Sequence, residues 1–427
     1  MTDYRLSLSN FKADTEIILP GSKSISNRLL IIRALSGSND TIQNLSISDD
    51  TEVLIQALSS KDNQINIGHA GTAMRFLTAF YAIQQDKQVT LSGSDRMHQR
   101  PIGELVTALQ ALGADIAYLD KEGYPPLQIK GKSLQGGKLS VNGNISSQYI
   151  SALLMIAPYM KEGLQLTIEG NIVSDAYIQT TIDLMRMFGV CFKCKENVII
   201  VPPSTYSFSF PFPASSFNVE GDWTNASYWY AVQFLSSQNP TPRIRCLNMN
   251  SIQGDVALIG IFDTLGIITH YNDGTGEVTL KKKDIELPAS FSFDFTNNPD
   301  LVQTFAVALC AKGIPFHFTG TQTLRIKETD RIAALQTELK KFGFTLESDE
   351  QGSFLSWDGT EGTPQDNIEI DTYDDHRMAM AFAPMILSEK VDSFVIKDAG
   401  VVSKSYPNFW DEIQKVGIAI EELLFNH

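Results

Sequence analysis

Apolar and polar positions along this chain fall into a pattern that recurs. A helical run closes on an apolar residue, a glycine and another apolar residue. This happens at Ile102…Leu112-Gly113-Ala114, Tyr177…Phe188-Gly189-Val190, Asp255…Leu265-Gly266-Ile267, Asp330…Phe342-Gly343-Phe344 and Phe409…Val416-Gly417-Ile418. The glycines lie 76, 77, 77 and 74 residues apart, which marks an internal repeat. Glycine just past a helix adopts the left-handed conformation without a Cβ penalty, so each predicts a helix C-terminus. A short strand is expected after it, such as Ala114–Tyr118. Another helix precedes each of these within its repeat: Thr72–Ile83, Ser147–Ala157, Asn225–Leu235, Asp300–Lys312 and His376–Leu387. Their starts are spaced 75, 78, 75 and 76 residues apart. Ser24–Leu35 is a further copy, only 48 residues before Thr72, which makes six units. A chain of 427 residues is too long for one ordinary core, so six units divide naturally into two domains of three.

Composition narrows the function classes. Hydrophobic residues make up 43% and charged residues 19%, as in a globular protein. A net charge of −15 argues against nucleic acid or an anionic membrane as partner. It leaves anionic small molecules open, because a local cluster of cations can sit on an acidic protein. The start Met1-Thr2-Asp3-Tyr4-Arg5 lacks a signal peptide's basic start and apolar run. No apolar stretch approaches the ~18 residues of a membrane helix, so a cytoplasmic enzyme is expected. Four cysteines are too few for a disulfide scaffold of this size. Cys191 and Cys194 form a C-x-x-C, but in a segment that reads as a strand after a helix, with no second pair or nearby His. No metal site is predicted there.

The polar residues gather where the first helix of a unit begins: Lys23-Ser24, Gly71-Thr72, Ser146-Ser147-Gln148, Asn298-Pro299-Asp300 and Asp375-His376-Arg377. Free N–H groups and a partial positive charge make a helix N-terminus a ready anion site. Ordinary capping accounts for the Ser, Thr, Asn and Asp residues. It does not account for Lys23, Gln148, His376 and Arg377 at equivalent positions of different units.

In Pro20–Arg28, a glycine turn precedes Ser22-Lys23-Ser24, and Arg28 follows about one turn on; the spacing is not that of a Walker A loop. Arg96 and Arg100 flank Met97-His98-Gln99 before Pro101, as an anion clamp or as rim charges. Arg325-Ile326-Lys327-Glu328-Thr329-Asp330-Arg331 is either a solvated helix start or an extended segment aiming Arg325, Lys327 and Thr329 one way. Asp375 beside His376 reads as an acid/base pair or as a cap with a charged neighbour.

Taken in order, Leu19–Arg28, Ala70–Arg75, Arg96–Ile102, Ser146–Pro158, Lys327–Arg331, Asp374–Met380 and Ser403–Pro407 closely resemble the 5-enolpyruvylshikimate-3-phosphate synthase (3-phosphoshikimate 1-carboxyvinyltransferase) family. The resemblance implies an α/β, two-domain enolpyruvyl transferase fold, each domain three βαβαββ units. Residues 1–20 with 222–427 would form one domain and 21–221 the other, with the active site in the cleft between them. The implied reaction moves the enolpyruvyl group of phosphoenolpyruvate to the 5-hydroxyl of shikimate 3-phosphate, with no metal or organic cofactor, in a monomer.

Carried over position by position, Lys23, Ser24, Arg28, Ser146, Ser147, Gln148, Ser174, Asp300, Thr323 and Lys327 would hold shikimate 3-phosphate. Lys23, Gly71, Arg96, Gln148, Arg331, Arg377 and Lys404 would hold phosphoenolpyruvate. Lys23, Asp300, Glu328 and His376 are the catalytic candidates, with Asp300 and Glu328 at the family's proton-transfer positions. Three departures stand out: His69 replaces an Asn, Phe76 a Pro, and Thr323 an Asn that helps hold the ring. Two other readings share the scaffold. The sister enzyme acting on UDP-N-acetylglucosamine would show Asn after the opening Lys and usually a Cys within Ser92–Arg100, where this chain has Lys23-Ser24 and no Cys. A non-catalytic phospho-sugar sensor would have no need of Asp300 and Glu328.

Overall fold

The computed structural model describes residues 2–9, 15–170, 172–207, 216–238 and 241–423. Its contacts divide the chain into two units, Met1–Gly21 with Glu220–His427 (the first unit) and Ser22–Val219 (the second).

One strand plan underlies both. In the second unit, Gln64–Asn66 runs parallel to Gln88–Ser92, across the helix Gly71–Ala82. After the helix Gly103–Ala111 come Asp115–Tyr118 and Leu127–Lys130, and the last strand inserts beside Gln88–Ser92. The chain order is βαβαββ, and the spatial order is first, second, fourth, third. Parallel neighbours require a crossover, which is why a helix lies between the first two strands. The same plan orders Gly137–Asn142, Leu164–Glu169, Val198–Val201 and Lys193–Lys195 in the second unit, and Glu16–Ile18, Arg243–Arg245, Glu277–Lys282 and Ile267–Asn272 in the first. Around Phe291–Asp294, Phe316–Thr319 and Phe354–Trp357, the bridges Phe344–Glu361 and Glu347–Ser356 stand in for the missing strand. The final repeat, Glu369–Ile370, Ser393–Ile396 and Ile418–Leu423, takes its fourth strand from the chain's start. Asp3–Leu8 lies between the last two, with Leu6 opposite both Phe394 and Ile420.

The two passages between units fall inside repeats. The strand Glu16–Ile18 pairs in parallel with Arg243–Arg245 of the first unit, yet the helix after it in sequence is Lys23–Ser36 of the second. Conversely, Ser216–Asn218 pairs with Thr41–Gln43, yet is followed by the helix Trp223–Leu235 of the first unit.

The first helix of each repeat is the buried one. Every residue of Trp223–Leu235 and of His376–Phe382 is buried, as is all of Val302–Ala311, so these helices are surrounded rather than half-exposed. An aromatic cluster fills the first unit, with Phe262 and Phe305 ring centroids 4.5 Å apart and Phe295 and Phe318 at 4.8 Å. The helix-closing glycines all have positive φ: 101°, 85°, 80°, 92° and 87° at 113, 189, 266, 343 and 417.

Prolines explain two departures from the expected helices. Asp300 lies in a 3₁₀ turn, Pro299–Leu301, before the α-helix Val302–Lys312. The α-helix from His376 ends at Phe382 and continues as 3₁₀ over Ala383–Ser388, because Pro384 has no N–H to donate. Cys191 and Cys194 are exposed and unbridged, and among the described residues no three His, Cys, Asp or Glu side chains gather as metal ligands. No described helix is long and apolar enough to cross a membrane.

Candidate active site

In the second unit, Ser22 caps the helix Lys23–Ser36, accepting from the Ile25 amide at 3.5 Å. That puts Lys23 on the first turn, with its Nζ 3.8 Å from Asp50 Oδ2 and both side chains largely shielded. Arg28, one turn on, is buried. Its Nε donates to Thr181 Oγ1 (2.6 Å), Nη1 to the Ser24 carbonyl (2.9 Å), and Nη2 to Ser151 Oγ and the Tyr177 carbonyl (both 3.1 Å). Burial lowers its pKa to about 10, which leaves it charged at neutral pH. The fork therefore ties three helix segments together. Phe76 lies beneath it, with the guanidinium carbon 5.5 Å from the ring centroid.

Ser174 is buried in the left-handed region (φ 60°, ψ 38°) directly before the helix Asp175–Met187. Non-glycine residues there cost on the order of 1–3 kcal/mol and cluster at functional sites. Gln148 donates to Thr72 Oγ1 at 3.1 Å, joining the starts of the helices Ser147–Ile156 and Gly71–Ala82; Ser146 caps the former, accepting from the Gln148 amide at 3.3 Å. A Cβ on Gly71 would stand 2.6 Å from Arg100 Nη1, so this position keeps the Arg100 guanidinium against the backbone. Arg96 is exposed, with Nη1 3.4 Å from Gln99 Oε1. His69 reaches Ser94 Oγ through Nδ1 (3.0 Å), joining the two loops that carry Gly71 and Arg96.

The first unit holds a denser cluster. Asp300 receives Arg331 Nη1 on Oδ1 and Arg377 Nη2 on Oδ2, each at 2.8 Å, with Lys327 Nζ 3.6 Å from Oδ1. Burial alone would raise its pKa, but Arg377, Lys327 and Arg331 together hold it well below the ordinary carboxylate range. Arg331 also donates to Glu328 Oε2 (2.9 Å) and, through Nε, to Asp375 Oδ2 (2.7 Å). Burial disfavours its charge, yet Asp375, Glu328 and Asp300 outweigh that and raise its pKa. Asp375 also caps the helix His376–Phe382 by accepting the Arg377 amide at 2.9 Å. His376 is buried beside it, with Nδ1 3.8 Å from Asp375 Oδ1. Lys404 donates to the carbonyl (2.8 Å) and the carboxylate of Asp374. Thr323 has its Oγ1 buried without a hydrogen-bond partner among the described residues.

The extended reading of Arg325, Lys327 and Thr329 does not hold. Gln322–Ile326 is a 3₁₀ turn, which sends Arg325 to Asp330 Oδ2 (2.8 Å) and the Asp349 carbonyl (2.5 Å), while Lys327 turns to Asp300. Two residues outside the expected set matter. Arg75 is buried and braces the carbonyls of Gly71 (3.1 Å) and Pro101 (3.0 Å). Asp255, buried, accepts from Thr224 and from Asn298 Nδ2 (3.2 Å), two residues before Asp300. Burial first and the charge of Asp300 second raise its pKa to about 6. The only sequence signal at Asp255 was its place at a predicted helix start.

Six repeats in two units, with cations and hydroxyls at the helix starts, define an enolpyruvyl transferase fold. Solved structures agree on the fold: EPSP synthase from Acinetobacter baumannii superposes with a TM-score of 0.73 over 99% of this chain and 100% of that one, at 20% identity. Residues 11–60 and 54–413 match the family described as EPSP synthase (3-phosphoshikimate 1-carboxyvinyltransferase). Among similar relatives, the 3-phosphoshikimate 1-carboxyvinyltransferase of Bacteroides fragilis strain YCH46 is 47% identical over 406 residues, 95% of this chain and 96% of that protein. Its namesake from Aliivibrio salmonicida is 37% identical over 435 residues, covering 95% and 98%. The chain belongs to the EPSP synthase family.

Proposed function

We propose that this chain transfers the enolpyruvyl group of phosphoenolpyruvate to the 5-hydroxyl of shikimate 3-phosphate, giving 5-enolpyruvylshikimate 3-phosphate and phosphate. The observation that carries this reading is the Asp300 cluster, where a carboxylate kept ionised by Arg331, Arg377 and Lys327 stands one residue contact from Glu328. Both substrates carry a phosphate and a carboxylate, so cations must hold several anionic groups at once. On this reading Lys23, Ser24, Arg28, Ser146, Ser147, Gln148, Ser174, Asp300, Thr323 and Lys327 would serve shikimate 3-phosphate. Lys23, Gly71, Arg96, Gln148, Arg331, Arg377 and Lys404 would serve phosphoenolpyruvate.

The reaction is addition followed by elimination. The 5-hydroxyl loses its proton as its oxygen bonds to C2 of phosphoenolpyruvate, and C3 gains a proton to become a methyl group. The tetrahedral adduct then breaks its C2–O bond to phosphate and gives up a methyl proton, restoring the double bond. Asp300 and Glu328 suit these transfers, since one carboxylate accepts a proton that another can return. Lys23 would stabilise charge on the departing phosphate. The chain is read as a cytoplasmic monomer, in keeping with its family resemblance and its net charge of −15.

Phosphate release on mixing the two substrates tests the reading, and absence of release from folded protein would remove it. Lys23→Ala should abolish turnover. Asp300→Asn should lower kcat by about 10²-fold or more while changing substrate binding much less. Near-normal turnover in both variants would contradict the roles assigned.

A further inference from the structure

Two adjacent residues, Tyr373 and Asp374, have φ of 53° and 59°, the only neighbouring pair of non-glycine residues in the left-handed region among the described residues. They stand directly before Asp375, His376 and Arg377. A tyrosine is costly in this conformation, because its Cβ crowds the backbone, so something must hold it there. The holding contact comes from the helix Arg331–Lys341. Glu338 on that helix is fully buried, and its Oε1 accepts the Tyr373 hydroxyl at 2.6 Å. Its Oε2 accepts Lys341 Nζ at 2.6 Å and the Asp371 amide at 3.2 Å.

The same helix begins with Arg331, which binds Asp375 at 2.7 Å. The turn is therefore anchored to one helix at two points, about two helical turns apart. Between the anchors lie the groups that orient the cations. Asp375 positions Arg331 and the Arg377 amide, and Asp374 receives Lys404 on its carbonyl and carboxylate. Burial first, and the bond to Glu338 second, raise the Tyr373 pKa, so the hydroxyl keeps its proton to donate.

We propose that Tyr373 is a positioning residue for phosphoenolpyruvate, its hydroxyl acting through buried Glu338 to hold the strained turn that sets Arg377 and Lys404. The proposal rests on the reaction assigned above. Tyr373 touches no reacting atom in this scheme. Removing its hydroxyl should let the turn relax toward right-handed or extended backbone, taking Asp374 and Asp375 with it.

Steady-state phosphate release measures the consequence. Tyr373→Phe should raise KM for phosphoenolpyruvate about tenfold and leave KM for shikimate 3-phosphate within twofold. Glu338→Leu should do the same, whereas Glu338→Gln, which retains a carbonyl acceptor for the hydroxyl, should stay close to the wild type. The double variant Tyr373→Phe/Glu338→Leu should be no worse than either single one. A wild-type KM for phosphoenolpyruvate in Tyr373→Phe, equal rises for both substrates, or Glu338→Gln as impaired as Glu338→Leu would overturn the proposal. Amide hydrogen exchange decides the strut apart from the reaction. The Asp375 and Arg377 amides should exchange at least tenfold faster in Tyr373→Phe, with the helix Val302–Lys312 unchanged. Unaltered exchange at 375 and 377 would overturn the strut even if turnover fell. A wild-type protein inert toward both substrates would instead remove the assigned reaction and leave exchange to decide the strut.

Discussion

Phe76 packs a fully buried ring beneath the Arg28 guanidinium. An aromatic face beside a buried cation recovers part of the solvation that the cation has lost. Phe76→Ala should therefore cost about 3–5 kcal/mol, from the cavity and the lost contact together. Phe76→Leu should cost less than half of that; equal urea midpoints for the two variants would contradict this account. Asp255 makes a prediction of opposite sign. Its carboxyl has a pKa near 6 in the folded chain against 3.8 in a model peptide, so the folded state binds that proton more tightly. Its contribution is most favourable below pH 3.8, declines as pH rises to about 6, and is constant above that. The difference corresponds to roughly 3 kcal/mol. Asp255→Asn should flatten the stability slope between about pH 4 and 6, and an unchanged slope in urea titrations at several pH values would refute it. Lys23 and Arg377 were legible as anion-binding candidates because capping does not account for cations at helix starts, whereas Arg331 entered only through the family resemblance. Asp255 was not legible, because a carboxylate at a helix start looks like any cap until its burial beside Asp300 is seen.

The helices that close on Gly113, Gly189, Gly266, Gly343 and Gly417 were the most readable elements, since each of these glycines has positive φ. Their caps are not equivalent. A Cβ on Gly343 (φ 92°) would meet the Gly362 carbonyl oxygen at 2.5 Å, whereas on Gly113 (φ 101°) nothing comes nearer than 4.0 Å. Gly113→Ala should lose only the conformational term, about 1–2 kcal/mol. Gly343→Ala adds a backbone collision and should lose about 2–5 kcal/mol in all. Similar thermal midpoints for the two proteins would show the close approach to be unimportant. Strands were harder to read. Three-residue strands such as Thr41–Gln43 and Glu16–Ile18 are too short for a periodicity to be read, and what makes them strands is a partner about 175 or 227 positions away. The 3₁₀ turns at Pro299–Leu301 and Gln322–Ile326 also escape a periodicity reading, and it is there that Asp300 and Lys327 acquire their directions.

Across the whole chain, the N-terminal strand Asp3–Leu8 carries more weight than its position suggests. It occupies the interior of a four-stranded sheet, paired on both sides by segments from the last 35 residues. Removing residues 1–8 would expose two new strand edges, the buried Phe394 and the half-buried Ile420 opposite Leu6, so the truncated protein should lose cooperative unfolding of the first unit. A melting curve matching that of the intact chain would contradict this. During synthesis, the strand emerges from the ribosome before any of its partners and must wait until Ile418–Leu423 has been made. The contiguous segment Ser22–Val219 has all its sheet partners once residue 219 has been made. Folding on the ribosome should therefore run from the middle of the chain outward, with protease resistance appearing first in residues 22–219 of stalled nascent chains. The first unit should gain resistance only after Leu423 has cleared the exit tunnel.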